Sequence, residues 1–207
     1  MTMNRTIKLL VLSDIFVLTG FGLINPILAI FIKDNLIGGS IFAAGLASTI
    51  FLVTKSVIQL PFSRYVDLHD DKVKWLILGT FLVACVPFVY IFTNHINYIY
   101  IAQFMYGVGG GLAYPTWLGL FSTHLDKKHE SFEWSMYSTS ICLGTAATGS
   151  IGAILATYFG FNLTFLIVGL MSFTGCFILL GLEMKRVKLG RVKLVHYHRK
   201  RKSSHRE

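Results

Sequence analysis

Six stretches of this sequence, at roughly 7–32, 41–62, 74–93, 97–122, 131–158 and 162–183, are each apolar over about the 20 residues a helix needs to cross a bilayer. Backbone N–H and C=O groups in lipid must be paired within their own segment, so the stretches are expected to be helices rather than strands. The chain is 54% hydrophobic, 14% charged and has a mean hydropathy of +0.62, more apolar surface than a soluble domain of 207 residues can bury. The expected fold class is therefore all-α: a polytopic bundle of six membrane helices over residues 1–184, followed by a polar basic tail at 185–207. The expected location is the plasma membrane, with the bilayer as the chain's surroundings.

The breaks between the stretches are short. Gly38-Gly39-Ser40 precedes the second, with Ser40 placed to cap it; Asn162 is expected to cap the sixth. Basic residues set the orientation. Arg5, Lys8, Arg64, Lys72, Lys74, Lys127, Lys128 and the tail fall on one side, and only Lys33 on the other. The first side is expected to be cytoplasmic, which puts both termini inside. The tail holds more than half of the 19 basic residues and is expected to touch anionic headgroups. No binding module or aromatic interleaving points to nucleic acid. Cys85, Cys142 and Cys176 lie in apolar stretches and read as small packing residues, with neither disulfide nor metal spacing. No cofactor or metal motif is present, and no nucleophile–base pair or phosphate loop nominates a catalytic residue.

Two glycine- and proline-bearing runs repeat. Gly20-Phe-Gly22-Leu-Ile-Asn25-Pro26 and Gly109-Gly-Gly111-Leu-Ala-Tyr114-Pro115 both read G-x-G-L-x-x-P. They fall in the first and fourth of six segments, the pattern of a three-plus-three internal repeat. Such interrupted membrane helices at matching positions point to the binding region of a transporter. Gly20, Gly22, Pro26, Gly109, Gly111 and Pro115 are accordingly expected to bend their helices. Asn25, Gln103, Tyr106, Tyr114 and Trp117 lie beside the two runs. Aromatic walls with a few amide and hydroxyl groups suit a small organic solute.

Asp14 and Lys55 are ionisable groups deep within the first two segments. At 1.5 Å per residue both lie roughly 10–12 Å deep and are expected to face each other. Two readings are open: a static buried ion pair, or a site whose charge breaks and reforms during transport.

The segment Pro61-Phe-Ser-Arg64-Tyr-Val-Asp67-Leu-His-Asp-Asp-Lys72 resembles the G-x-L-A-D-R-x-G-R-K loop of the major facilitator superfamily, matching at Asp67 and Lys72. That family places the loop between its second and third helices, as here. The Gly20–Pro26 run is similar to the family's first-helix pattern and Gly107-x-Gly109 to its fourth, with Gln103 where an arginine is usual. Gly144-x4-Gly149-x2-Gly152 resembles its fifth-helix motif without the proline.

The resemblance implies half of a twelve-helix bundle, with helices one and four lining a central cavity and three and six facing lipid. A second copy of the chain would supply the other half as a two-fold homodimer. Helices two and five would meet that copy, with Gly144, Gly149 and Gly152 at the contact. Arg64, Asp67, Lys72 and Glu133 would form a cytoplasmic gate. The function implied is movement of a small solute by alternating access. The alternatives are a non-transporting interaction or regulatory subunit, or one half of a hetero-oligomeric transporter.

Overall fold

The computed structural model describes residues 4–203, with side chains through Leu182. The regular structure among them is helical apart from one isolated bridge between Ile37 and His95. Seven helices follow in order: α1 (Arg5–Gly22), α2 (Leu28–Asn35), α3 (Ile41–Leu68), α4 (Lys72–Ile91), α5 (Ile96–His124), α6 (Glu130–Phe159) and α7 (Phe161–Ser203). Four of them, α3, α4, α6 and the Phe161–Leu182 part of α7, are long and apolar enough to cross a membrane. Arg5, Lys8 and Asp14 put charge into α1, and glycines, tyrosines and Gln103 dilute the apolar character of α5.

The first expected segment is two helices. After Gly22 the N–H groups of Leu23 and Ile24 reach back only three residues, to the carbonyls of Gly20 and Phe21. Pro26 has no N–H to offer the Gly22 carbonyl, and its ring excludes regular winding there. The second run behaves differently. Gly109, Gly111 and Pro115 lie inside the unbroken α5, so these residues do not interrupt their helix. There the glycines permit close packing: a Cβ on Gly109 would stand 2.7 Å from the Gly79 carbonyl of α4, and one on Gly111 would stand 2.9 Å from the Ile58 Cβ of α3.

Ser40 caps α3 as expected, its hydroxyl accepting from the Ala43 N–H at 3.0 Å. Asn162 is not a cap. A single residue, Gly160, joins α6 to α7 with φ +84°, a left-handed conformation that favours glycine, and Asn162 falls in the first turn of α7. α7 also continues beyond the expected boundary to Ser203. The side chains of the basic tail lie outside the described residues, and so does its expected contact with headgroups. The link between α2 and α3 is tied to that between α4 and α5. Ile37 donates to the Asn94 carbonyl at 2.9 Å and accepts from the Ile96 N–H at 3.1 Å.

α1 packs on α6 and α7, α5 packs on α3 and α4, and α4 packs on α7. In lipid, helices gain little from shielding apolar groups, and close approach with internal hydrogen bonds holds them instead. Ser13 of α1 shows the pattern, donating to the Gly175 carbonyl of α7 at 2.8 Å. Two apolar cores result. One gathers Phe21, Ile24, Phe31, Tyr90 and Phe165; the other gathers Ile7, Leu10, Leu76, Trp117 and Phe121. α3 and α6 stand at the ends of this arrangement. Only 17% and 11% of their most apolar stretches are buried, against 44% in α4 and α7.

Candidate functional site

Two neighbouring cavities share a wall, the first between the two cores and the second beside the first core. The first, about 220 Å³, is lined from five helices by Asp14 of α1, Lys55 of α3, Thr80 of α4, Tyr114 and Trp117 of α5 and Tyr137 of α6. The second, about 380 Å³, is bordered by Asn25, Ser48 and Gln103. Phe51 and Tyr106 belong to both walls. The Tyr106 ring is sandwiched between Phe21 at 4.7 Å and Phe51 at 4.2 Å between centroids, both stacked. This triple stack ties α1, α5 and α3 together and divides one cavity from the other. Each such aromatic contact contributes about 0.5–1.5 kcal/mol beyond its packing area.

Asp14 and Lys55 share the first cavity but are not an ion pair. The Asp14 carboxylate accepts from the Tyr137 hydroxyl at 2.6 Å, a short charge-assisted bond. The Lys55 ammonium lies 4.7 Å from the Tyr114 ring centroid and 6.0 Å from that of Phe51. A phenol that reaches the carboxylate and aromatic faces that attract the cation separate the two charges. Among the described residues no salt bridge involves either one.

The five expected cavity residues divide between the two chambers. Tyr114 and Trp117 border the first, Asn25 and Gln103 the second, and Tyr106 both. Trp117 is 6% exposed and stacks on Phe121 at 4.7 Å; among the described residues its indole N–H has no partner. Gln103 is 4% exposed, and its amide donates to the Tyr90 hydroxyl of α4 at 3.1 Å. Its side chain is thereby fixed to α4 at the edge of the second cavity.

Within one copy the expected gate residues form no salt bridge with one another among the described residues. Arg64 and Asp67 are exposed, and neither they nor Lys72 enter a salt bridge among the described residues. Lys72 lies beside Gly119 of α5. Glu133 is buried and accepts from the Asp126 N–H at 3.1 Å, closing the α5–α6 loop. The carboxylate that fastens the α3–α4 loop is Asp71, which accepts from Trp75 at 3.0 Å and from the Tyr65 hydroxyl at 3.2 Å. Burial works to raise its pKa, but these two hydrogen bonds, together with a backbone hydrogen bond at Asp71 itself and the nearby His69, hold the carboxyl below the usual aspartate value.

A depressed carboxylate contributes stability above its unfolded pKa and loses that contribution as pH falls through its folded value. Asp71→Asn is therefore expected to lower the unfolding temperature at neutral pH. The difference from the parent protein should close as pH drops below about 3.8. Melting curves of both proteins across that range would show it, and a pH-independent difference would refute the assignment.

Gly144 and Gly152 face α1 of the same chain. A Cβ on Gly144 would strike Thr19 and one on Gly152 would strike the Leu23 carbonyl, whereas at Gly149 the nearest atom is the Gly22 carbonyl at 4.0 Å. The small residues of α6 thus serve close approach, as expected, but toward α1. Phe51 and Tyr137 are cavity residues the sequence reading missed. Phe51 carried a signal, one helical turn before Lys55 and so on the same face of its helix; Tyr137, far from Asp14 in sequence, carried none.

Among the described residues no group of three His, Cys, Asp or Glu is close enough to hold a metal ion. The sequence model of the Major Facilitator Superfamily matches residues 10–200. No curated protein matches the chain. Among solved structures, the in meso crystal structure of the POT family transporter PepTSo superposes with a TM-score of 0.77 at 17% identity, covering 90% of this chain. At that identity the likeness concerns the fold. The chain spans 38% of the length of PepTSo.

Proposed function

The chain belongs to the major facilitator superfamily, a family of transporters rather than enzymes, and we propose that it is a six-span transporter half moving a small solute by alternating access. A second copy supplies the other half of the pathway. The observation that carries this reading is the largely apolar, aromatic-walled cavity, bordered by Asp14 and Lys55, that lies between helices whose outer faces are uncovered. α3 and α6 are the least buried of the membrane-length helices, and the cavity draws residues from both.

The packing supports an internal repeat. Exchange α1 with α5, α3 with α6 and α4 with α7: the α3–α5 contact becomes α6–α1, and α4–α5 becomes α7–α1. Halves of such bundles are related by an axis along the membrane normal. A two-fold partner would set α3 of one copy against α6 of the other, covering both faces. The exposed Arg64 and Asp67 would then find their partners across that contact, and the basic residues of the loops keep both termini inside.

In membranes at low expression, single-molecule photobleaching of a C-terminal label is expected to give two steps per spot. With Cys85, Cys142 and Cys176 replaced, Val57→Cys and Leu143→Cys should crosslink between copies. Both positions are exposed, on α3 and α6, at similar heights in the bundle. One step per spot that persists as expression rises, with no crosslink, would sink the homodimer and direct the search to an unlike half or a regulatory partner. Solute flux in proteoliposomes containing only this chain would establish transport.

A further inference from the structure

We propose that the first cavity takes a small organic anion, a carboxylate on a flat apolar body, with Lys55 holding its charge and Trp117 offering a second donor. The proposal rests on reading this cavity as the solute site and adds the sign of the solute's charge and the shape of its body.

Asp14 and Lys55 line the cavity, and among the described residues only Asp14 has a hydrogen-bonding partner. Asp14 is answered by the Tyr137 hydroxyl. Lys55 has three donors and accepts nothing, and among the described residues no carboxylate lies within salt-bridge reach of it. The Tyr114 face attracts the ammonium but supplies no in-line acceptor. An ionisable group in the membrane calls for a partner. The other unsatisfied group on this wall, the buried indole N–H of Trp117, is also a donor.

Both orphan groups therefore ask for an acceptor, and the acceptor best matched to an ammonium is an anion. A cationic solute would meet Lys55 as a like charge, while one oxygen of the Asp14 carboxylate is already held by the Tyr137 hydroxyl. The remaining wall is apolar, the rings of Phe51, Tyr106, Tyr114 and Trp117 standing among Val17, Leu18, Leu76 and Val83; with the faces of Tyr106 taken by Phe21 and Phe51, it suits a small planar body through edge-to-face contacts. At about 220 Å³ the chamber falls below the ~300–1,000 Å³ of sites that hold drug-sized ligands, so the solute is small.

The test uses the full chain, purified in detergent, and radiolabelled benzoate as the probe. Benzamide and benzylamine compete as the neutral and cationic versions of the same ring. Benzoate is expected to compete at least roughly tenfold better than either, and Lys55→Gln to weaken benzoate binding by roughly tenfold or more. Lys55→Arg, which keeps the charge, should retain most of it. Trp117→Phe should weaken it by roughly threefold. Monodispersity of each variant on size exclusion shows that a loss of binding is not a loss of fold.

Absence of saturable benzoate binding, equal or better competition by benzylamine or benzamide, or unchanged binding in folded Lys55→Gln protein would each overturn the proposal. Proteoliposome flux separates it from the transport reading. Lys55-dependent benzoate binding without flux of any solute leaves the anion site standing and removes transport. Flux of a cationic solute through protein that ignores benzoate does the reverse.

Discussion

Gly152→Leu is expected to remove about 4 kcal/mol or more of stability and to leave little monodisperse protein after extraction. Even a Cβ at this position collides with the Leu23 carbonyl, where the chain between α1 and α2 has left the helix. Overpacking a side chain typically costs about 1–3 kcal/mol because neighbours change rotamer. Here the obstacle is backbone, and relief requires α6 to move away from α1. Gly149→Ala, three residues earlier on the same helix, is the control. Its nearest neighbour is at 4.0 Å, so the variant should match the parent or gain the roughly 0.5–1 kcal/mol that alanine brings to a helix interior. Thermal unfolding in detergent decides the matter: a folded Gly152→Leu protein melting with the parent would show that α6 does not seat on the break.

Tyr106→Ala is expected to cost about 3–5 kcal/mol, the usual range for removing a large aromatic from a packed site. The ring has a phenylalanine on each face, so its loss undoes two stacks at once and separates α5 from α1 and α3. It also joins the two chambers, because Tyr106 and Phe51 are the wall between them. Tyr106→Phe keeps both stacks and should fall within about 0.5 kcal/mol of the parent. A Tyr106→Ala protein as stable as Tyr106→Phe would mean that the sandwich contributes nothing to the bundle.

Much of this architecture is legible in the sequence because hydropathy and caps are local. The apolar stretches, the Ser40 cap and the punctuation at Gly38–Ser40 require no knowledge of neighbours. Asp14 and Lys55 show where that stops. Their depth follows from counting residues, and both border one cavity. The azimuth of each helix about its axis does not follow from counting. A tyrosine more than a hundred residues from Asp14 in sequence took the place expected for Lys55.

The same limit applies to Gly144 and Gly152, whose small size announced a close approach without saying to which helix. Pro26 and Pro115 share a motif yet differ in outcome. Pro115 lies in a helix braced on both sides by α3 and α4, and the Thr116 hydroxyl bonds to the Leu112 carbonyl beside it. Pro26 follows a helix end whose covering residue, Gly152, comes from far along the chain.

That last contact bears on how the protein is made. Irregular backbone at membrane depth is tolerated only where protein or a water-filled cavity covers it. The peptide groups around Leu23 are covered by α6, which leaves the ribosome after α3, α4 and α5. The open turn after α1 is therefore covered only by a helix that follows α3, α4 and α5 in the chain. Until α6 arrives, nascent chains must shelter an open turn beside the insertion machinery, and chains truncated before Glu130 never acquire its cover.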